Sequence, residues 1–286
     1  MRYLLIINPL AGGGKAKNVI TKIKVFFHLH GYEITVIETR RKGDAIKLTK
    51  RYRNKHDIVI ACGGDGTINE VINGLAGTKK LLAIIPLGTE NVLAQYLRIP
   101  LDIDAACLRI LQGKVRKVDV GKTNGRYFIL MTGIGFDAHV AAKVEPVLKK
   151  LIGSIAYPLT AIREIFAYEP AKITITANNK QYTGYYVIVS NCRYYGGKIP
   201  IAYRAQIDDG LLDVCIFRSP QIYNAIRYLV STTILKEDLF RDVIYIKTKK
   251  LMVTAEKPTL VHTDCEIIGI TPVNIGVKKK ALTIIC

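Results

Sequence analysis

An N-terminal α/β domain with a mostly parallel sheet, followed by a C-terminal antiparallel β-sandwich domain, is the fold class this sequence predicts. Apolar strand-like runs alternate with amphipathic helical runs through residues 1–120. From 121 to 280 short strand-like runs dominate instead, separated by Gly, Asn and Asp turns such as Asn178-Asn179 and Asp208-Asp209-Gly210. The 286 residues are 49% hydrophobic, enough for two modest cores. The last apolar segment, 281–286, is a candidate to rejoin the first domain.

In the first domain, strand candidates lie at 3–8, 33–38, 57–62 and 81–85. Helical stretches lie near 15–30, 44–54, 68–76, 90–97 and 103–113. In such a domain, ligands bind where strands end and loops begin. Three loops have suitable residues: Asn8 to Gly13, Gly63 to Thr67, and Pro86 to Thr89. In the second domain the strand candidates are 127–132, 172–177, 183–190, 211–217, 243–247, 250–254, 259–263 and 273–277. Helical pieces near 138–167 and 219–236 interrupt them.

The net charge is +19, which favours an anionic partner. Residues 40–55 concentrate it, with eight basic residues against Asp44 alone. A solvated helix face and attraction to acidic lipid headgroups both account for that run. Nucleic acid is not expected, because basic and aromatic residues are not interleaved. The six cysteines show no metal-finger or redox spacing and are read as reduced, buried thiols of a cytoplasmic protein. Residues 1–8 resemble a strand rather than a leader, and no apolar run approaches a membrane span.

The most informative segment is Ile58 to Leu75. An apolar strand breaks into Gly63-Gly64-Asp65-Gly66-Thr67 and resumes as a helix with Ile68, Val71, Ile72 and Leu75 on one face. Backbone N–H groups at a glycine turn before a helix make an anion site. An Asp among those glycines repels phosphate unless a cation bridges the two, and Mg²⁺ is the natural one. A P-loop is excluded, because Gly12-Gly13-Gly14-Lys15 is followed by Ala16 rather than Ser or Thr.

GGDGTxNEVxNG after an apolar strand resembles the signature of the diacylglycerol kinase catalytic domain family, which includes bacterial lipid kinases and sphingosine kinases. NAD kinases and phosphofructokinases share GGDGT, but Asn69-Glu70 and Asn73-Gly74 fit the lipid kinases better. Further motifs follow in family order: Asn8-Pro9, Ile85-Pro-Leu-Gly-Thr89 with Asn91, Val118-Asp-Val-Gly121, Gly133-Ile-Gly-Phe-Asp137, Gly196-Gly197, Asp208 to Asp213 and Val261 to Glu266. The resemblance thus covers nearly the whole chain.

It implies ATP as phosphoryl donor, with nucleotide contacts at Asn8, Thr39, Gly63, Gly64, Asp65, Gly66, Thr67, Asn69, Glu70, Gly88 and Thr89. Thr67 is also expected to cap the helix that follows. Asp65 and Asp119 match an acidic network around catalytic Mg²⁺, with Asp119 ending a strand. Asp209, in an ordinary turn signal, matches a second, structural Mg²⁺ site that uses carbonyls of Gln206 and Leu211. Glu266 matches the general base, with Asp264 beside it. In an extended strand residues i and i+2 share a face, so both could serve one site. His262 competes as base on chemistry alone and otherwise reads as packing.

Two departures stand out. Cys265 replaces the usual glycine of Asp-Gly-Glu, and Asn91-Val92-Leu93 replaces Asn-Asp-Phe. The resulting expectation is a Mg²⁺-dependent lipid kinase, with diacylglycerol as default acceptor and an active site in the cleft between the domains. Such an enzyme would reach its lipid peripherally, at an anionic membrane surface, where the basic apolar stretch 138–167 could dock. An NAD kinase-like enzyme and a non-catalytic nucleotide- or membrane-binding protein are the alternatives. Dimerisation is left open.

Overall fold

Strands β1 (Tyr3–Ile7) and β3 (Ile58–Gly63) are buried along their whole length, as strands covered on both faces must be. In the computed structural model, residues 1–14, 16–144, 156–164, 167–195, 199–221, 223–224 and 242–286 are described. The chain divides into two units, Met1–Val120 with Lys279–Cys286, and Gly121–Lys278.

In the first unit β1 lies between β2 (Ile34–Glu38) and β3, and β3 pairs with β4 (Leu81–Pro86). All three pairings are parallel. A fourth parallel neighbour is the end of the final strand, β16 (Val273–Ile285), where Thr283 and Ile284 pair with Leu81 and Leu82. Helix α1 (Ala16–Leu29) sends Ile23 and Phe27 into a core with Tyr3, Leu5, Ile60 and Ile85. Helix α5 (Ile103–Gln112) adds Ala106, Cys107 and Ile110 to that core. Asp102 caps α5 through the Ala105 N–H, and Gly113 ends it at φ 68°.

Helices α2 (Asp44–Tyr52) and α3 (Asp65–Leu75) pack against each other. Helix α3 starts three residues earlier than its apolar periodicity indicates, because Asp65, Gly66 and Thr67 form its first turn. Gly43 precedes α2 at φ 85° and has no side chain to cap it. Glu70 supplies the cap from α3: Oε1 accepts the Gly43 N–H at 2.8 Å and Oε2 the Ala45 N–H at 3.0 Å. This corrects the nucleotide contact expected of Glu70, since both of its oxygens hold the start of a neighbouring helix.

Strand β5 (Val115–Thr123), absent from the sequence-based strand candidates, pairs with β16 and with β6 (Arg126–Phe128). In the second unit the first half of β16 joins an antiparallel set with β13 (Lys250–Ala255), β8 (Ile173–Ala177) and β9 (Lys180–Gly184). A second antiparallel sheet runs β12 (Val243–Thr248), β11 (Leu212–Phe217), β10 (Tyr186–Ser190), β7 (Met131–Ile134), β14 (Leu260–Thr263) and β15 (Glu266–Ile270). Residues of both sheets fill one core, among them Ile175, Val253 and Ile275 from the first and Val187, Val214 and Val261 from the second. That is a β-sandwich. The candidate run 127–132 resolves into β6 and β7, and 183–190 into the end of β9 and β10.

Of the helical stretch 138–167, α6 (Phe136–Lys143) and α7 (Ala156–Glu164) are described. Residues 145–155, with most of the apolar and basic positions expected to dock on a membrane, lie outside the described residues, as does most of 219–236 and the pair Gly196-Gly197. Four cysteines are buried, but Cys265 is exposed and Cys286 partly so, which corrects the expectation that all six are buried.

Glu70→Ala leaves two amides at the start of α2 without their partner. The expected cost is about 1–3 kcal/mol, read as a lower urea midpoint with an unchanged m-value.

Candidate functional site

The carboxyl ends of β1, β3 and β4 lie side by side in the first unit. The Asn8 N–H donates to the Cys62 carbonyl at 3.1 Å and the Leu87 N–H to the Gly63 carbonyl at 2.8 Å. Asn8 Oδ1 accepts the Leu10 N–H at 3.0 Å, closing the turn after β1. Buried Thr39, just past β2, donates its N–H to the Ile7 carbonyl at 2.9 Å. Gly63 ends β3, and Asn8, Thr39, Gly64, Gly88 and Thr89 follow strand ends, all on one edge of a parallel sheet, where open α/β sheets bind ligands.

At the centre, two backbones touch. A Cβ on Gly88 would come within 2.6 Å of the Gly64 Cα and 2.8 Å of Asn91 Oδ1. Only glycine permits that approach. Asn91 ties the second loop from both sides: its Oδ1 accepts the Gly88 N–H at 2.7 Å and its Nδ2 donates to the Gly88 carbonyl at 2.8 Å. Gly64 is the N-cap of α3 and no side chain caps that helix, so its first amides face the loop. Thr67 lies inside the first turn rather than at the cap position expected of it. Asn69 is buried further along α3, where its Oδ1 accepts from Asn73 Nδ2 at 3.0 Å.

Asp65 reaches helix α4 (Val92–Tyr96). Its Oδ2 accepts the Val92 N–H at 3.2 Å and its Oδ1 the Leu93 N–H at 3.4 Å. Burial pushes its pKa up, the Val92, Leu93 and Asn91 amides oppose the rise, and Glu90 adds to it. A carboxylate in such surroundings gains from a nearby cation, and Asp65 is the residue here that could help hold one. Asp119 is buried in the middle of β5, not at a strand end, and its Oδ1 accepts the Lys280 N–H at 2.6 Å. Among the described residues no group of three His, Cys, Asp or Glu side chains is placed to hold a metal ion.

The second unit holds the remaining candidates. Thr263 pairs with Glu266 across a two-residue turn, and Asp264 and Cys265 both have positive φ, 45° and 64°. This is a tight hairpin of the kind that favours Asn and Gly. The extended-strand argument for one shared face therefore does not hold. Asp264 turns back to accept three amides: Ile129 at 2.9 Å, Leu130 at 3.0 Å and Met131 at 2.9 Å. It fixes the link between β6 and β7 and is a positioning residue. Glu266 is ion-paired with Arg126, both largely buried.

His262 is more than packing. Its Nδ1 accepts the Cys265 N–H at 3.1 Å, which assigns the proton to Nε2, and Nε2 meets Asp137 Oδ2 at 2.5 Å. The Tyr195 hydroxyl donates to the other oxygen of Asp137. A methyl group on Gly133 would overlap both Asp137 Oδ2 and His262 Nε2. This network underlies the turn beside Glu266. Its visible signal is the motif Gly133-Ile-Gly-Phe-Asp137, although no role for its acid is legible there; nothing local marks Tyr195 or Arg126.

Asp209 corrects another expectation. Its Oδ1 accepts the Leu211 N–H at 2.9 Å, and its Oδ2 lies 2.8 Å from Lys247 Nζ. Lys247 also lies 3.6 Å from buried Asp213. The charge that a metal would neutralise is already met by an ammonium, so Asp209, Gln206 and Leu211 do not fit a metal site here. The Asp208 to Gly210 turn ends the long connection between β10 and β11, which pair antiparallel, and is not a tight hairpin between them.

Two outcomes follow from the hairpin and its support. Cys265→Gly relieves a left-handed conformation and is expected to raise stability by about 0.5–1 kcal/mol, measured by chemical denaturation. For Asp137, burial raises the pKa, but His262 and Tyr195 outweigh it and hold the carboxyl below its usual 3.8. Its folded value is depressed, so its stabilisation is complete above about pH 4 and is lost as pH falls through the folded value. Asp137→Asn is expected to lower the urea midpoint at pH 7, by about 1–3 kcal/mol, and the gap from wild type to narrow below pH 4.

Comparison with known proteins bears on what this edge of the sheet serves. Residues 2–123 match the diacylglycerol kinase catalytic domain, and residues 131–286 match the YegS C-terminal NAD kinase beta sandwich-like domain. A diacylglycerol kinase of Bacillus subtilis (strain 168) is 32% identical over 95% of this chain and 91% of its own. A diacylglycerol kinase of Staphylococcus haemolyticus (strain JCSC1435) is 28% identical over 94% of this chain and 83% of its own. A crystal structure from Bacillus anthracis str. Sterne, proposed to be a diacylglycerol kinase, is 31% identical, with a TM-score of 0.86 over 99% of this chain and 94% of that one. On the sequence match and the shared fold together, the chain belongs to the diacylglycerol kinase family.

Proposed function

We propose that the protein is a lipid kinase that moves the γ-phosphoryl group of ATP to a lipid hydroxyl, with diacylglycerol as acceptor and phosphatidate as product. The observation that carries this reading is the contact of Gly64 with Gly88 at the carboxyl ends of β3 and β4. Glycine amides and the uncapped start of α3 can there surround phosphate oxygens with N–H donors.

Asp65 would hold the magnesium ion, which supplies charge neutralisation for the phosphates. Asn91 keeps the Gly88 loop against the Gly64 loop. Glu266 is the base that accepts the acceptor's hydroxyl proton, and Arg126 orients its carboxylate. Asp264 and the Asp137–His262 pair fix the turn that carries Glu266. Asp119 acts through the backbone of Lys280.

No helix among the described residues is long and apolar enough to cross a membrane. In this reading the lipid is reached from a membrane surface, and the basic segment 40–55 favours an anionic one.

The test is transfer of labelled γ-phosphate from Mg-ATP to diacylglycerol in acidic-lipid micelles. A sphingoid base, NAD and a lipid-free control run in parallel. Label is expected in diacylglycerol, with Glu266→Gln reduced at least about 100-fold in kcat. Label in NAD alone would reassign the protein to the NAD kinases, and ATP binding without transfer to any acceptor would make it a binding protein.

A further inference from the structure

The sandwich unit contains a groove of about 1040 Å³ lined by Lys122, Lys247, Lys249, Lys250 and Lys278 and by no Asp or Glu. Lys247 is neutralised by Asp209 and Asp213 behind it. The other four are exposed, and among the described residues none of them is ion-paired with a carboxylate.

Their backbones are held in place. Lys249 sits in the turn between β12 and β13, and Asn178 pins that turn from the β8–β9 hairpin. Asn178 Nδ2 donates to the Lys247 carbonyl at 2.9 Å, while Thr248 Oγ1 lies 2.9 Å from Asn178 Oδ1 and 2.8 Å from the Lys250 carbonyl. Lys122 and Lys278, which also line the groove, both approach the Tyr127 ring, at 5.3 and 5.8 Å from its centre. One ring thus gathers two ammonium groups that repel each other. Four ammoniums without carboxylate partners around one concavity give a positive field that attracts an anion.

We propose that this groove is a binding site for a phosphate ester of the kind carried by an acidic phospholipid headgroup. Ammonium groups suit it as mobile point charges around a phosphate, and the volume of the groove admits a glycerol or larger headgroup. Recognition here does not depend on the kinase reading, because no residue of the glycine loops or of the Glu266 turn takes part.

The test measures binding directly. The full chain is titrated with neutral phosphatidylcholine vesicles, with the same vesicles containing phosphatidate, and with soluble glycerol 3-phosphate. A groove variant (Lys249→Ala, Lys250→Ala, Lys278→Ala) is compared with a control variant that loses equal charge elsewhere (Lys24→Ala, Lys79→Ala, Lys114→Ala), both checked for folding by circular dichroism.

The groove variant is expected to bind phosphatidate vesicles at least about tenfold more weakly, while the control changes much less. Loss in the vesicle arm alone identifies a headgroup at a membrane, and loss in both arms shows that a soluble phosphate ester suffices. A groove variant that binds like wild type in both arms, or a control variant that loses as much, would overturn the proposal.

Discussion

A loop that turns away from a buried strand leaves amide N–H groups without ladder partners, and in this protein buried and half-buried carboxylates take them. Asp65 serves α4, Glu70 the start of α2, Asp119 the left-handed Lys280 and Asp264 the link between β6 and β7. Each acid joins segments far apart in sequence. The loops that bear the candidate site therefore keep their form through acids rather than through regular pairing.

This constraint separates two kinds of acid that look alike in a motif. Asp264, with three amides on its two oxygens, shapes the backbone. Glu266, on the far side of a two-residue turn, faces Arg126 instead. Asp65 stands between these extremes: its amide bonds are long, and burial together with Glu90 disfavours its charged form. Asp209 is instead paired with Lys247. In the sandwich unit the balance reverses, since the lysines of the groove outnumber the acids behind it.

The Asp137–His262 pair shows how a core can control a surface turn. Gly133 gives up its side chain so that both groups can lie against the strand, and the imidazole then carries the amide of Cys265. The turn keeps a left-handed cysteine because three independent anchors over-determine it: Asp264 on one side, His262 beneath and the pairing of Thr263 with Glu266.

The sequence alone determined the fold class, because it depends on local patterns. Continuous apolar runs mark buried parallel strands, alternation marks the sandwich, and a glycine turn between strand and helix marks an anion-binding end. Boundaries shifted where turn chemistry outweighed periodicity, as at Asp65, which starts α3 before its first apolar residue. Tertiary structure alone decided which way each acid points, because the donors for Glu70, Asp119 and Asp264 lie 25 to 161 residues away in sequence. It likewise decided that the last strand ends beside β4, and that lysines from three separate segments line one groove. Periodicity reports which face of an element is buried, but not what that face meets.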